Sequence, residues 1–126
     1  MTHVLLVAAG GAIGAALRHL VGLAAMRLFG AGFPVGTLSV NVVGSFAMGL
    51  LIAWLALKAA GGGQNLRLFL ATGVLGGFTT FSAFSAETVL LWERGAAGAA
   101  LAYVAASVVA SIAALVAGLA IMRALT

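Results

Sequence analysis

Four long apolar stretches, joined by short links, leave this chain few ways to fold. They run from about Val4 to Leu28, Val35 to Leu57, Leu66 to Trp92 and Gly98 to Met122. A membrane span needs about 20 mainly apolar residues, and each stretch meets that length. The links are GAGFP around Pro34, KAAGGGQN from Lys58 and ERGAAG from Glu93. Only 6% of the residues are charged and 64% are hydrophobic, against about 25% charged in a soluble domain. That is too few charges to cover a water-facing surface. The sequence therefore predicts an all-α membrane protein, with residues 1–126 forming a single four-helix transmembrane domain. With no cysteine, disulfides and thiolate metal sites are excluded. The six Lys and Arg are scattered singly, so a nucleic-acid surface has no basis.

The first stretch lacks the basic leader of a signal peptide and exceeds the roughly 7–15 apolar residues of its core. It reads as a retained helix. Four spans place both ends of the chain on one side. That side carries Lys58, Arg67 and Arg123, and the other carries Arg27 and Arg94. A difference of one residue barely selects an orientation. The expectation is dual topology, in which copies insert both ways and pair antiparallel, because so small a bundle hardly encloses a transport path alone.

Polar residues inside the spans are costly and face a partner or a wet path. Thr37, Asn41 and Ser45 recur four apart in the second stretch, and Tyr103, Ser107 and Ser111 do so in the fourth. Each trio shares one helix face. Packing explains Gly44 and Ser45, and the pairs Gly10/Gly14 and Gly73/Gly77 have the spacing of close helix contacts. Asn41 points instead to a functional face, because a buried amide must be satisfied. The GGAIG string at 10–14 lacks the strand and acid of a dinucleotide loop. Arg18 is read as structural or interfacial. His19 has no nearby ligand set and is no metal site.

The third stretch contains GGFTTFSAFSAET, residues 76–88. Gly76 and Gly77 weaken a helix by about 1 kcal/mol each relative to alanine, and Thr79 and Thr80 can bond to backbone at a bend. A break here frees carbonyls, which suit a cation such as Na⁺, and N–H groups, which suit an anion. Phe81 and Phe84 lie three apart on one face, continued by Ser85 and Thr88. Ring edges are positive and can touch an anion. Glu87 is the one acid within a span. It is a proton-coupling carboxylate, a partner for Arg18, or a hydrogen-bonded member of the polar stripe.

The string GGFTTFSAF resembles the signature of the Fluc, or CrcB, family of fluoride channels. Gly14, Arg18, GTLSVNVVGSF (36–46) and the serines of the fourth stretch extend the likeness along the chain. The resemblance implies an antiparallel, dual-topology homodimer in the cell inner membrane. It implies passive, highly selective fluoride export that relieves toxicity, through two pores per dimer. On this chain Phe81, Phe84, Asn41, Ser82 and Thr80 then belong to the pore. Thr37, Glu87, Tyr103, Ser107 and Ser111 form a polar track. The carbonyls of Gly76 and Thr79 hold a structural central Na⁺, and Arg18 is the family's first-helix arginine. The alternative is a proton-coupled small multidrug exporter, also a small four-helix dimer. Such exporters carry their key acid in the first helix, where this chain has none. A non-transporting assembly factor leaves Asn41 and the hydroxyl stripes unexplained.

Overall fold

A computed structural model describes residues 1–58 and 63–126 of the chain. Among them, four helical segments are long and apolar enough to cross a membrane. They comprise α1 (Thr2–Phe29), α2 (Val35–Leu57), the third span (Gln64–Glu93) and α6 (Ala97–Ala124). The ends lie within a few residues of those expected from the sequence. Residues 59–62 of the KAAGGGQN link fall outside the described residues.

Local chemistry sets the ends. Pro34 disfavours helical backbone in the residue before it, and α1 stops at Phe29 while α2 begins at Val35. The link before α6 turns on Gly95, whose φ of 80° suits glycine. There the Gly95 N–H donates to Trp92 O and the Ala96 N–H to Leu91 O, both at 3.0 Å. That reciprocal pair satisfies carbonyls left open at a helix end.

The third span is not uniform. It comprises α3 (Gln64–Arg67), a π-helical run (Leu68–Leu75), α4 (Gly76–Phe78) and α5 (Phe81–Glu93). Between α4 and α5 the backbone is extended, at φ −85°, ψ 158° for Thr79 and φ −154°, ψ 125° for Thr80. The portion before these two residues packs on α1, and α5 packs on α6. The extended pair therefore redirects the span from one neighbour to another. π-Helical turns are rare and often accompany functional sites.

Helix spacing is set by glycine. A Cβ on Gly73 would lie 2.9 Å from Gly10 Cα, and one on Gly77 would lie 2.6 Å from Gly11 O. The two glycine pairs seen in the sequence thus meet each other across α1 and the third span. α2 meets α6 the same way, and a Cβ on Gly118 would lie 2.9 Å from Leu50 N. Lipid tails supply no hydrophobic drive between helices, so such close backbone packing holds them together. A buried cluster of Phe84, Leu91, Ala100 and Tyr103 joins α5 to α6.

Candidate functional site

The site is built around the two extended residues. Leaving the helix strips Thr80 of its backbone partners, and Asn41 of α2 replaces both. The Thr80 N–H donates to Asn41 Oδ1 at 2.8 Å, and Asn41 Nδ2 donates to Thr80 O at 3.1 Å. A primary amide offers one acceptor and two N–H donors, so one Nδ2 hydrogen is left over. Thr79 bonds backward, with its N–H (3.0 Å) and its hydroxyl (2.9 Å) both donating to Leu75 O.

Thr80 also caps α5. Its Oγ1 accepts the Ala83 N–H at 3.2 Å and lies 3.3 Å from Ser82 Oγ. Thr80→Ala should cost about 1 kcal/mol, as losing an N-cap does. A lower melting midpoint and faster hydrogen exchange at Ala83 would register it. Among the described residues, the Thr79 carbonyl accepts no hydrogen bond, and Phe81 and Ser82 lie in the first turn of α5, where a helix leaves its N–H donors without intrahelical partners. An oxygen on one side of the turn and N–H donors on the other thus face away from the ladder of helical bonds.

Beside the turn lies a cavity of about 390 Å³. Asn41, Ser45, Thr79, Thr80, Phe81, Phe84, Ser107 and Ser111 line it, together with apolar side chains of α2 and α6. Two members of each stripe, Asn41 and Ser45 of α2 and Ser107 and Ser111 of α6, therefore share one space. No charged residue lines it. Ser107 Oγ and Ser111 Oγ are buried and have no partner among the described residues, as is Tyr103 OH above them. A buried hydroxyl without a partner costs about 1–3 kcal/mol, so each invites a ligand.

The two phenylalanines differ in their surroundings. Their ring centroids lie 5.4 Å apart at 62°, but Phe84 is 8% exposed and Phe81 is 77% exposed. Phe84 also packs at 5.2 Å on Tyr103, which meets Phe33 edge-on at 5.4 Å. Phe33, in the first link, was not singled out in the sequence. A lone aromatic beside a proline carries no signal of its partner. Ser45, read as packing, lines the cavity, and its place four residues after Asn41 was the available clue. Ser85 and Thr88 do not extend the site. Their hydroxyls donate to Phe81 O (2.9 Å) and Phe84 O (2.7 Å) of their own helix.

Toward the Pro34 end, Thr37 Oγ1 donates to Glu87 Oε1 at 2.6 Å. Both line a second cavity of about 450 Å³ that also reaches Phe33 and Arg94. Glu87 is thus a hydrogen-bonded member of the polar stripe. Arg18, half-buried on the face of α1 that carries Gly10 and Gly14, makes no hydrogen bond or salt bridge among the described residues. It does not pair with Glu87. Among the described residues, no cluster of three His, Cys, Asp or Glu is present to ligate a metal. The carbonyls of Gly76 and Thr79 are hard oxygens, the ligand type that suits Na⁺.

Comparison with known proteins agrees with the motif. Residues 5–119 match the family described as CrcB-like protein, Camphor Resistance (CrcB). A fluoride-specific ion channel FluC of Chelativorans sp. (strain BNC1) is 60% identical over 123 residues, covering 98% of each chain. One from Agrobacterium fabrum (strain C58 / ATCC 33970) is 56% identical over 98% of each chain. One from Caulobacter sp. (strain K31) is 54% identical, over 98% of this chain and 96% of its own. Such likeness runs through every span, and the chain belongs to the CrcB (Fluc) family, the one its GGFTTFSAF string resembles.

Proposed function

We propose that this protein is a passive, fluoride-selective channel of the cell inner membrane that lets fluoride leave the cytoplasm and so relieves its toxicity. One observation carries the reading: an uncharged cavity in which Asn41, the Thr80 turn, two phenylalanine rings and two unpartnered serine hydroxyls converge.

Fluoride is small and tightly hydrated, so a selective path must replace strong water contacts. The free Nδ2 hydrogen of Asn41 and the hydroxyls of Ser107 and Ser111 are donors aimed at that task. Phe81 and Phe84 add positive ring edges, which attract an anion weakly. With no Lys or Arg in the cavity, an ion that enters is not trapped, as conduction requires. Thr37, Glu87 and Tyr103 continue the polar track toward the second cavity. Ser82, beside Thr80, belongs to the same turn.

The working unit is an antiparallel homodimer with two pores. Phe81, exposed within one copy, is covered by the second copy, which completes each pore. The weak charge bias between the two sides suits copies inserted both ways. A Na⁺ ion bound between the copies would supply positive charge for backbone oxygens there. The carbonyls of Gly76 and Thr79 would hold it. Arg18 stays outside this pathway.

Purified protein in liposomes should release fluoride down its gradient, electrogenically and without a proton gradient. Drug-proton exchange instead would favour the small multidrug exporter, and absence of any flux would overturn transport. Phe81→Ile should cut fluoride release about fivefold or more, since a ring-edge attraction of about 1 kcal/mol is lost. Its elution as a dimer should be unchanged. Wild-type release from Phe81→Ile would remove the ring from the pathway.

A further inference from the structure

Gly44 offers no polar side chain, and its sequence context says packing. Its surroundings say more. It lies three residues after Asn41, on the same side of α2. Asn41 grips the Thr80 peptide at both polar atoms. A Cβ on Gly44 would overlap the Cγ2 methyl of Thr79 and lie 3.3 Å from Phe78 Cδ2. The Thr79 side chain cannot swing aside freely, because its hydroxyl is held by Leu75 O at 2.9 Å. Thr79 therefore rests on bare α2 backbone, one residue before the peptide that Asn41 holds.

The geometry points to Gly44 as a positioning residue for ion passage. Together with Asn41 it forms a two-point cradle for the extended pair Thr79 and Thr80. The cradle sets the direction of the Thr79 carbonyl and the place of the Phe81 ring, which follows directly in α5. This inference rests on the channel reading above. Gly44 supplies no donor or acceptor of its own through a side chain, so it acts through Thr79. The other close-packed glycines differ. Gly10, Gly14, Gly73, Gly77, Gly49 and Gly118 abut backbone of a neighbouring helix and set spacing between helices. Among the described residues, Gly44 is the glycine whose missing Cβ is filled by the turn itself.

Three variants test the cradle: Gly44→Ala, Thr79→Ser and the double substitution. Thr79→Ser deletes the methyl that would collide and keeps the hydroxyl bonded to Leu75. Fluoride release per mass of correctly eluting protein should fall about tenfold in Gly44→Ala, a coupling of ordinary size for groups in contact. The double variant should release fluoride several-fold faster than Gly44→Ala. Hydrogen exchange at Thr80 and Ala83 should follow the same order, with protection lost in Gly44→Ala and regained in the double variant. Wild-type release from Gly44→Ala, or a double variant no better than Gly44→Ala, overturns the cradle. If Gly44→Ala fails to fold, recovery of folded protein by adding Thr79→Ser sustains it, and no recovery overturns it. Should the wild type pass no fluoride, the channel reading fails by itself. The exchange pattern then still decides the cradle, since unchanged protection in Gly44→Ala refutes it.

Discussion

Fluoride release from liposomes carrying Asn41→Asp is expected to fall more than about a hundredfold, to near the protein-free background. Two effects act together. The substitution replaces Nδ2 by an oxygen, so the Thr80 carbonyl loses its 3.1 Å donor and faces an acceptor instead. A buried acceptor left unmatched costs about 1–3 kcal/mol. The carboxylate also places a negative charge where an anion must pass. Two like unit charges 4 Å apart repel by about 4 kcal/mol at an effective dielectric constant of 20, and each 1.4 kcal/mol is about a factor of ten. The Thr80 N–H keeps an acceptor, so the fold survives, and elution as wild type is expected alongside the lost flux. Fluoride flux at the wild-type rate would take Asn41 out of the ion path.

Gly14→Val is expected to lose about 3 kcal/mol of stability or more, and with it most folded protein. A Cβ at this position would overlap Val74 O and lie 2.7 Å from Phe78 N. Both neighbours are backbone, so no side chain can rotate away. α1 would have to move off the third span along the face where Gly10 and Gly73 touch. Overpacking of this kind costs 1–3 kcal/mol and occasionally more, and in lipid no hydrophobic drive offsets it. Gly11→Ala is the control. Its Cβ would meet nothing within 4 Å, and a change within about 0.5 kcal/mol is expected. Melting of the two variants in detergent makes the comparison. Equal midpoints would refute the close-packed crossing.

The glycine crossings show how far spacing can be read. Gly10/Gly14 and Gly73/Gly77 declared themselves as close-contact pairs in the sequence, and they pack on each other. The pairing of Gly49 with Gly118 was not legible, because neither has a second glycine four residues away to mark a close-contact pair. The polar stripes of α2 and α6 were legible for the same reason as the glycine pairs, since a period of four marks one face. That Asn41 and Ser45 share one cavity with Ser107 and Ser111 required the two helices to be placed side by side. Asn41 shows the limit most clearly. Its sequence position demanded a partner, but nothing in the order of residues identified the Thr80 peptide. Ser85 and Thr88 lie on the expected side of the helix, but spacing could not tell that their hydroxyls turn back to carbonyls of their own helix.

By itself, the sequence determined the solvent, the number of spans and where their ends fall. Those follow from apolar length, glycine and proline, which act over a few residues. It also fixed which polar side chains lie in the spans and which of them share a helix face. Only the tertiary structure decided which helices touch and that Asn41 holds Thr80. It alone showed that Phe84 is buried while Phe81 is bare, and that Gly44 yields its space to Thr79. Each of these joins residues of different helical spans, so it depends on how whole helices cross. Local propensity carries no information about that crossing.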